Sequence, residues 1–230
     1  MSVVLPPPIL SSDFELLGSL LEADVERKFG RMLQRLHAFL NSDPATRDLR
    51  EDRKLWKPRA RREPSFGSFG FQDRHWYTFN NGGRNEAQLN VGMFGDCDNK
   101  HVRIGLGFER TPRRGGDPSI VDLVYTAFVR TLQGDGEIGR EFTDFIKDEK
   151  LEVEIWGPDT HGLNIVPTEG VLDFLRKPKD FFWIFVGKLL RADRDGATLG
   201  NSQLLASEMR RILGKARSMW RHVNMLGLSL

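Results

Sequence analysis

The chain has almost no cysteine: Cys97 is the single thiol in 230 residues. One thiol cannot close an intramolecular disulfide, and it cannot build a zinc site of the Cys-x-x-Cys kind. A reducing bacterial cytoplasm is the expected compartment. Long apolar runs are also missing. The longest unbroken one, Phe181 to Val186, falls far short of the roughly 20 residues that span a bilayer. The opening MSVVLPPPIL has no basic stretch ahead of an apolar one, so neither a signal peptide nor a membrane partner is expected. Gly-x-Ser-x-Gly, the phosphate-binding loop and His-Glu-x-x-His are all absent. The five histidines, His37, His75, His101, His161 and His222, show no metal-ligand spacing.

Cationic charge is present and uneven. Net charge is only +2, yet residues 47–62 hold eight Lys/Arg against three acids, and residues 208–221 hold five against one. Residues 135–159 are acidic, with nine carboxylates against three cations. Arginine outnumbers lysine by 24 to 10. Arginine forks suit phosphate and guanine, so two separated basic clusters point toward a polyanion gripped from two sides.

Apolar residues recur at helical spacing from Leu16 to Leu40, with Ser12 and Glu15 as a capping box and Asn41 and Pro44 as the stop. A charged helix over Ala45–Trp56 and a Gly/Phe strand follow. Three strand-like runs come next: HWYTFN, EAQLNVGMFG and HVRIGLGFE. Pro118 opens a helix, a second covers Ile138 to Asp148, and LEVEIWG alternates as a strand. This order predicts an α+β fold of the αβββαβ kind. Residues 1–160 read as the core. Residues 161–230 read as a second subregion: a helix over Thr168–Arg176, the strand FFWIFVGKLL, a Gly196–Ser202 linker and a basic last helix from Ser202 to about Met225.

The stretch EAQLNVGMFGDCDNKHVRIGLGFE carries the chemistry. Strand side chains alternate faces, so Glu86, Gln88 and Asn90 share one. A turn centred near Cys97–Asp98 pairs Glu86 with Glu109, Gln88 with Gly107 and Asn90 with Gly105. Facing carboxylates repel by about a kcal/mol or more at intermediate dielectric. A hard divalent cation such as Mg²⁺ offsets that repulsion, and it can polarise a phosphoryl oxygen and activate water. Glu86 and Glu109 are therefore the candidate metal ligands. Gln88 and Asn90 are candidates to orient water or phosphate, and the glycines are expected to leave room for a phosphate backbone. Asp73 is a further acidic candidate, and His75 and His101 are possible assistants. Asp96 and Asp98 are ordinary turn residues, and His37 reads as structural. A solvated polar strand face is the plainer reading of the same residues.

The helix, the antiparallel strands and the acidic hairpin resemble the PD-(D/E)XK nuclease core over roughly residues 12–160, with Glu86-Ala87-Gln88 in place of Glu-x-Lys. The end of the chain, SMWRHVNMLGLSL, resembles the BisI family of 5-methylcytosine-dependent restriction endonucleases, with His222-Val223 matching its methyl-contacting pair. The resemblance implies Mg²⁺-dependent cleavage of methylated duplex DNA at GCNGC-type sites by a homodimer, reading the base within the duplex without flipping it. It implies a methyl contact from Val223 and a guanine contact from His222 or Arg221. Arg217, Arg61, Arg62, Arg84, Arg113 and Arg114 would then be backbone contacts. A non-catalytic reader of methylated or duplex DNA is the alternative.

Overall fold

The computed structural model describes residues 4–43, 66–80, 86–96, 100–110, 118–160, 163–177 and 179–228. The expected helix Ala45–Trp56, the basic cluster at 57–62, Arg84, Asp98, Arg113, Arg114 and His161 lie outside them.

The fold is α+β, organised around one seven-stranded antiparallel sheet. The strands are β1 (Phe66–Gln72), β2 (His75–Asn80), β3 (Gln88–Phe94), β4 (His101–Glu109), β5 (Glu152–Trp156), β6 (Asn164–Val166) and β7 (Trp183–Arg191). Their order across the sheet is β1-β2-β3-β4-β7-β5-β6. The helices are α1 (Ser11–Leu17), α2 (Glu22–Ser42), α3 (Pro118–Gln133), α4 (Glu137–Asp148), α5 (Thr168–Leu175), α6 (Gly196–Leu199) and α7 (Ser202–Leu228). None of the described helices is long and apolar enough to cross a membrane.

Residues 161–230 do not stand apart from the rest. Strand β7 is inserted between β4 and β5, pairing with β4 along its whole length and with β5 over Trp183–Gly187. Helix α7 packs on α3, β3 and β4, burying Leu205, Met209, Ile212, Met219, Trp220 and Val223. Gly227 lets α7 close on α3, since a Cβ there would stand 2.5 Å from Val124 Cγ2.

The long N-terminal helix is broken into two. Helix α1 is capped by Asp13, whose carboxylate accepts from the Leu10 amide at 2.7 Å, in place of the expected Ser12 and Glu15 pair. The break falls at Gly18, where a Cβ would strike the Gly95 carbonyl. Helix α2 then restarts with its Glu22 amide donating to Asp73 Oδ1 at 2.8 Å. Asp73, a candidate catalytic acid by sequence, therefore caps a helix from the β1–β2 turn. His37 on α2 shares a 2.5 Å hydrogen bond with Thr78 on β2, the structural role expected of it.

One face of the sheet is largely apolar, interrupted by Thr78 on β2 and Lys188 on β7, which pair with Val91 and Ile104. Leu89, Val91 and Met93 on β3, Val102, Ile104, Leu106 and Phe108 on β4, and Ile184, Val186 and Leu190 on β7 are all buried. By strand alternation the other face carries the polar residues.

Candidate functional site

The expected hairpin register is the observed one. Gln88 pairs with Gly107 and Asn90 with Gly105. The pairing of β3 with β4 stops there, two residues short of Glu86, so the expected Glu86–Glu109 pair is not among the observed ones, and Glu109 pairs across its other side with Trp183 of β7.

The glycines do not form an open floor. A Cβ on Gly107 would stand 2.5 Å from Cη2 of Trp183, whose ring lies over that position. A Cβ on Gly105 would come 3.0 Å from the Phe185 ring, and one on Gly187 would come 2.6 Å from it. The glycine lane makes room for the protein's own aromatic rings. Gln88 is 1% exposed and Asn90 0%, so neither meets a substrate phosphate from where it sits. Both amides, expected to orient water or phosphate, are buried beneath the covering rings.

That cover comes from curvature. His101 pairs with Arg191, and Glu154 pairs with Phe185, six residues away along β7. On a flat sheet that offset alone is roughly 20 Å, at about 3.3 Å per residue. Yet His101 Nε2 and the Glu154 carboxylate are hydrogen-bonded, and both side chains are buried. The polar face is rolled inward so that side chains of β4 and β5 meet across β7.

Arg103 sits at the centre of the roll. Its Nη1 donates to Glu154 at 3.0 Å and its Nε to Asn90 Oδ1 at 2.8 Å. The guanidinium carbon lies 4.6 Å from the Phe94 ring centroid, 4.5 Å from Trp183 and 5.3 Å from Phe185. Cation–π contact and two charge-assisted bonds offset the desolvation of this cation. Burial works against the charge on Glu154, but His101 and Arg103 together outweigh it and hold the carboxyl down at about 2. Burial also lowers the Arg103 pKa, opposed mainly by Glu154.

A ladder of rings crosses the same face. His75 stacks on Phe94 at 4.9 Å, Phe94 on His101 at 5.0 Å, and Tyr77 lies 6.1 Å from His75. Burial, then the Arg103 charge, holds His75 down at about 4, so it is neutral at pH 7.

Outward of Arg103 the roll opens into a cavity of about 380 Å³. His75, Tyr77 and Phe94 line it from β2 and β3, and Trp183 and Trp156 from β7 and β5. Glu109, Asp96, Gln72 and Leu163 complete the wall. Asp96 is bridged to Arg74 at 3.0 Å. Trp156 is 45% exposed and lies 5.1 Å from the exposed Phe182 ring, so an aromatic pair flanks the cavity. Of the expected catalytic residues, Glu109 belongs to this cavity; Glu86, Gln88, Asn90 and Asp73 do not line it. Among the described residues, no three His, Cys, Asp or Glu side chains converge as a metal site.

No family model, curated protein or solved structure matches this chain.

The C-terminal helix divides the residues expected to read DNA. Val223 is 0% exposed and packs in the core, so it offers no surface to a methyl group. Arg221, His222 and Arg217 are half-buried, and burial lowers the His222 pKa. Much of the basic charge of α7 is committed to the protein itself. Arg210 pairs with Asp43 at 2.5 Å, Arg211 with Glu149 and Glu208, and Lys215 with Glu149 at 3.0 Å. Two further residues of α7 act on the backbone ahead of β3. Asn224 Oδ1 accepts from the Ala87 amide at 2.8 Å, and Trp220 Nε1 donates to the Ala87 carbonyl at 2.7 Å. These contacts pin the chain between Glu86 and Gln88.

Sequence reasoning passed over Arg103, Glu154 and Trp183. A signal was there: Arg103 shares the strand face of Gly105 and Gly107, and a glycine lane asks what large group covers it.

Proposed function

We propose that the protein recognises duplex DNA carrying modified cytosine, and that the rolled face of the sheet is its recognition surface. The observation that supports this most is the cavity of aromatic rings with Glu109 in its wall, backed by a buried, neutralised Arg103. Rings stack on bases, and a carboxylate accepts from the cytosine amine. The resemblance to BisI-type enzymes and the excess of arginine point the same way. A gel-shift titration at low salt tests it, using duplexes methylated or unmethylated at a GCNGC site. Preferential retention of the methylated duplex is the expected outcome, and no affinity for either duplex overturns the reading.

Metal-assisted cleavage is the second reading, favoured by the carboxylates of Glu109 and Asp96 on the cavity wall. Magnesium takes one or two protein carboxylates together with substrate phosphate oxygens, so oxygen donors of this kind fit it. Glu109 and Asp96 are the wall residues that would hold it, while Glu86, the other expected ligand, lies outside the cavity; the ion would supply polarisation of the scissile phosphate and activation of water. A PD-(D/E)XK-like core, and a homodimer on a palindromic site, belong to this reading. Incubation of methylated and unmethylated plasmid with the protein and Mg²⁺ decides it. Fragments from methylated plasmid alone, lost in Glu109→Gln, are expected. Retention on methylated DNA without cutting leaves the first reading and removes this one.

A further inference from the structure

The shape and chemistry of the cavity restrict what it can hold. It is a recess of about 380 Å³ inside a rolled sheet, so it receives a group that enters it. Reading base edges within a duplex works the other way: a protruding helix or ribbon enters the groove. An anionic guest finds little pull here, because Arg103 is already paired with Glu154, and Glu109 and Asp96 add negative charge to the wall. An aliphatic guest would set apolar surface against the Glu109 carboxylate. A flat, uncharged ring bearing an amine donor suits both the stacked rings and the carboxylate.

We infer that the cavity takes one cytosine or 5-methylcytosine base extruded from the duplex. The ring lies among Tyr77, His75, Trp156 and Trp183, the exocyclic amine donates to Glu109, and the 5-methyl group meets apolar wall. This rests on the reading that the protein binds duplex DNA, and it departs from the in-duplex readout that the family resemblance implies. Extrusion places recognition on the rolled face and needs no contact from the buried Val223.

Extrusion carries an unpairing cost of a few kcal/mol, smallest for a base that is already unpaired. The test is therefore a set of metal-free binding titrations with 5-methylcytosine placed opposite guanine or opposite an abasic site, with free 5-methyl-dCMP as competitor. The expected result is at least about tenfold tighter binding when the target base has no partner, equivalent to about 1.4 kcal/mol. A 2-aminopurine beside the target should brighten on binding as its neighbour leaves the stack. Trp156→Ala removes a ring that the extruded base lies against and should shrink the tenfold gain. Equal affinity for the paired and unpaired targets, with DNA still bound, overturns extrusion and spares the DNA-binding reading. Displacement of either duplex by free 5-methyl-dCMP at matching affinity also overturns extrusion, because the cavity would then be a mononucleotide site. No affinity for any duplex removes both. The wild-type comparison decides the matter without any variant.

Discussion

Glu154 and His101 lie on strands with β7 between them and six residues of register offset, yet they share a buried hydrogen bond. That contact and the Arg103–Glu154 pair hold the sheet in its rolled form. Removing one partner leaves buried charge uncompensated, which costs about 3–5 kcal/mol. Glu154→Ala should lower stability by that order in urea unfolding, and Glu154→Ala with Arg103→Leu should recover part of the loss. A double variant no more stable than Glu154→Ala would show that the pair is not coupled.

The same carboxylate makes stability depend on acid. Glu154 is held at about 2, below its ordinary 4.5. Its contribution is complete above the ordinary value and drains away as pH falls from there toward 2. Unfolding midpoints measured across that window should drop, and Glu154→Gln should flatten the slope.

His75 acts in a higher window. Its pKa lies at about 4 against an ordinary 6.5, so between those values the unfolded chain takes the proton and the folded chain does not. Stability should therefore fall as pH is lowered from 6.5 to 4. His75→Phe should remove that part of the dependence. An unchanged profile in the variant would assign the slope to another group.

Gly107 is required by Trp183. An alanine there puts Cβ 2.5 Å from Cη2 of the ring, and overpacking of this kind costs about 1–3 kcal/mol. Gly107→Ala should destabilise by that amount and shift tryptophan emission. The cost should shrink in a Trp183→Leu background, read as a double-mutant cycle.

Asp73 and Val223 separate structure from chemistry. Asp73→Ala removes the acceptor for the Glu22 amide, a loss of about 1 kcal/mol. Any DNA cleavage should persist in that variant, whereas its abolition in a folded Asp73→Ala protein would restore Asp73 as a catalytic acid. Val223→Ala should cost about 2 kcal/mol in the core and leave the preference for methylated DNA unchanged.

The hairpin register was legible because alternation and a turn centre determine it locally: Gln88 meets Gly107 as the spacing requires. What the residues on that face do was not legible. Polar side chains on one strand face read as solvated, or as an open site, unless the sheet is known to roll. The roll depends on rings from Trp183 and Phe185, some eighty residues onward, settling over Gly105 and Gly107. Helix starts fared similarly. Pro118 opens α3 as expected, but α2 is capped by Asp73, a partner fifty-one residues away that no local pattern could name. Val223 matched a two-residue motif, while the helical spacing of Met219, Trp220 and Val223 already described a core stripe.

The insertion of β7 between β4 and β5 has a consequence for how the chain is made. Strand β4 emerges from the ribosome long before Trp183–Arg191, and it must wait with one row of amides and carbonyls unpaired. Neither half of the sheet is complete until that late strand arrives and stitches them together. Non-local pairing of this kind slows folding and leaves a bare strand edge open to intermolecular pairing in the meantime. A chain cut before residue 183 should consequently aggregate rather than persist as a smaller domain.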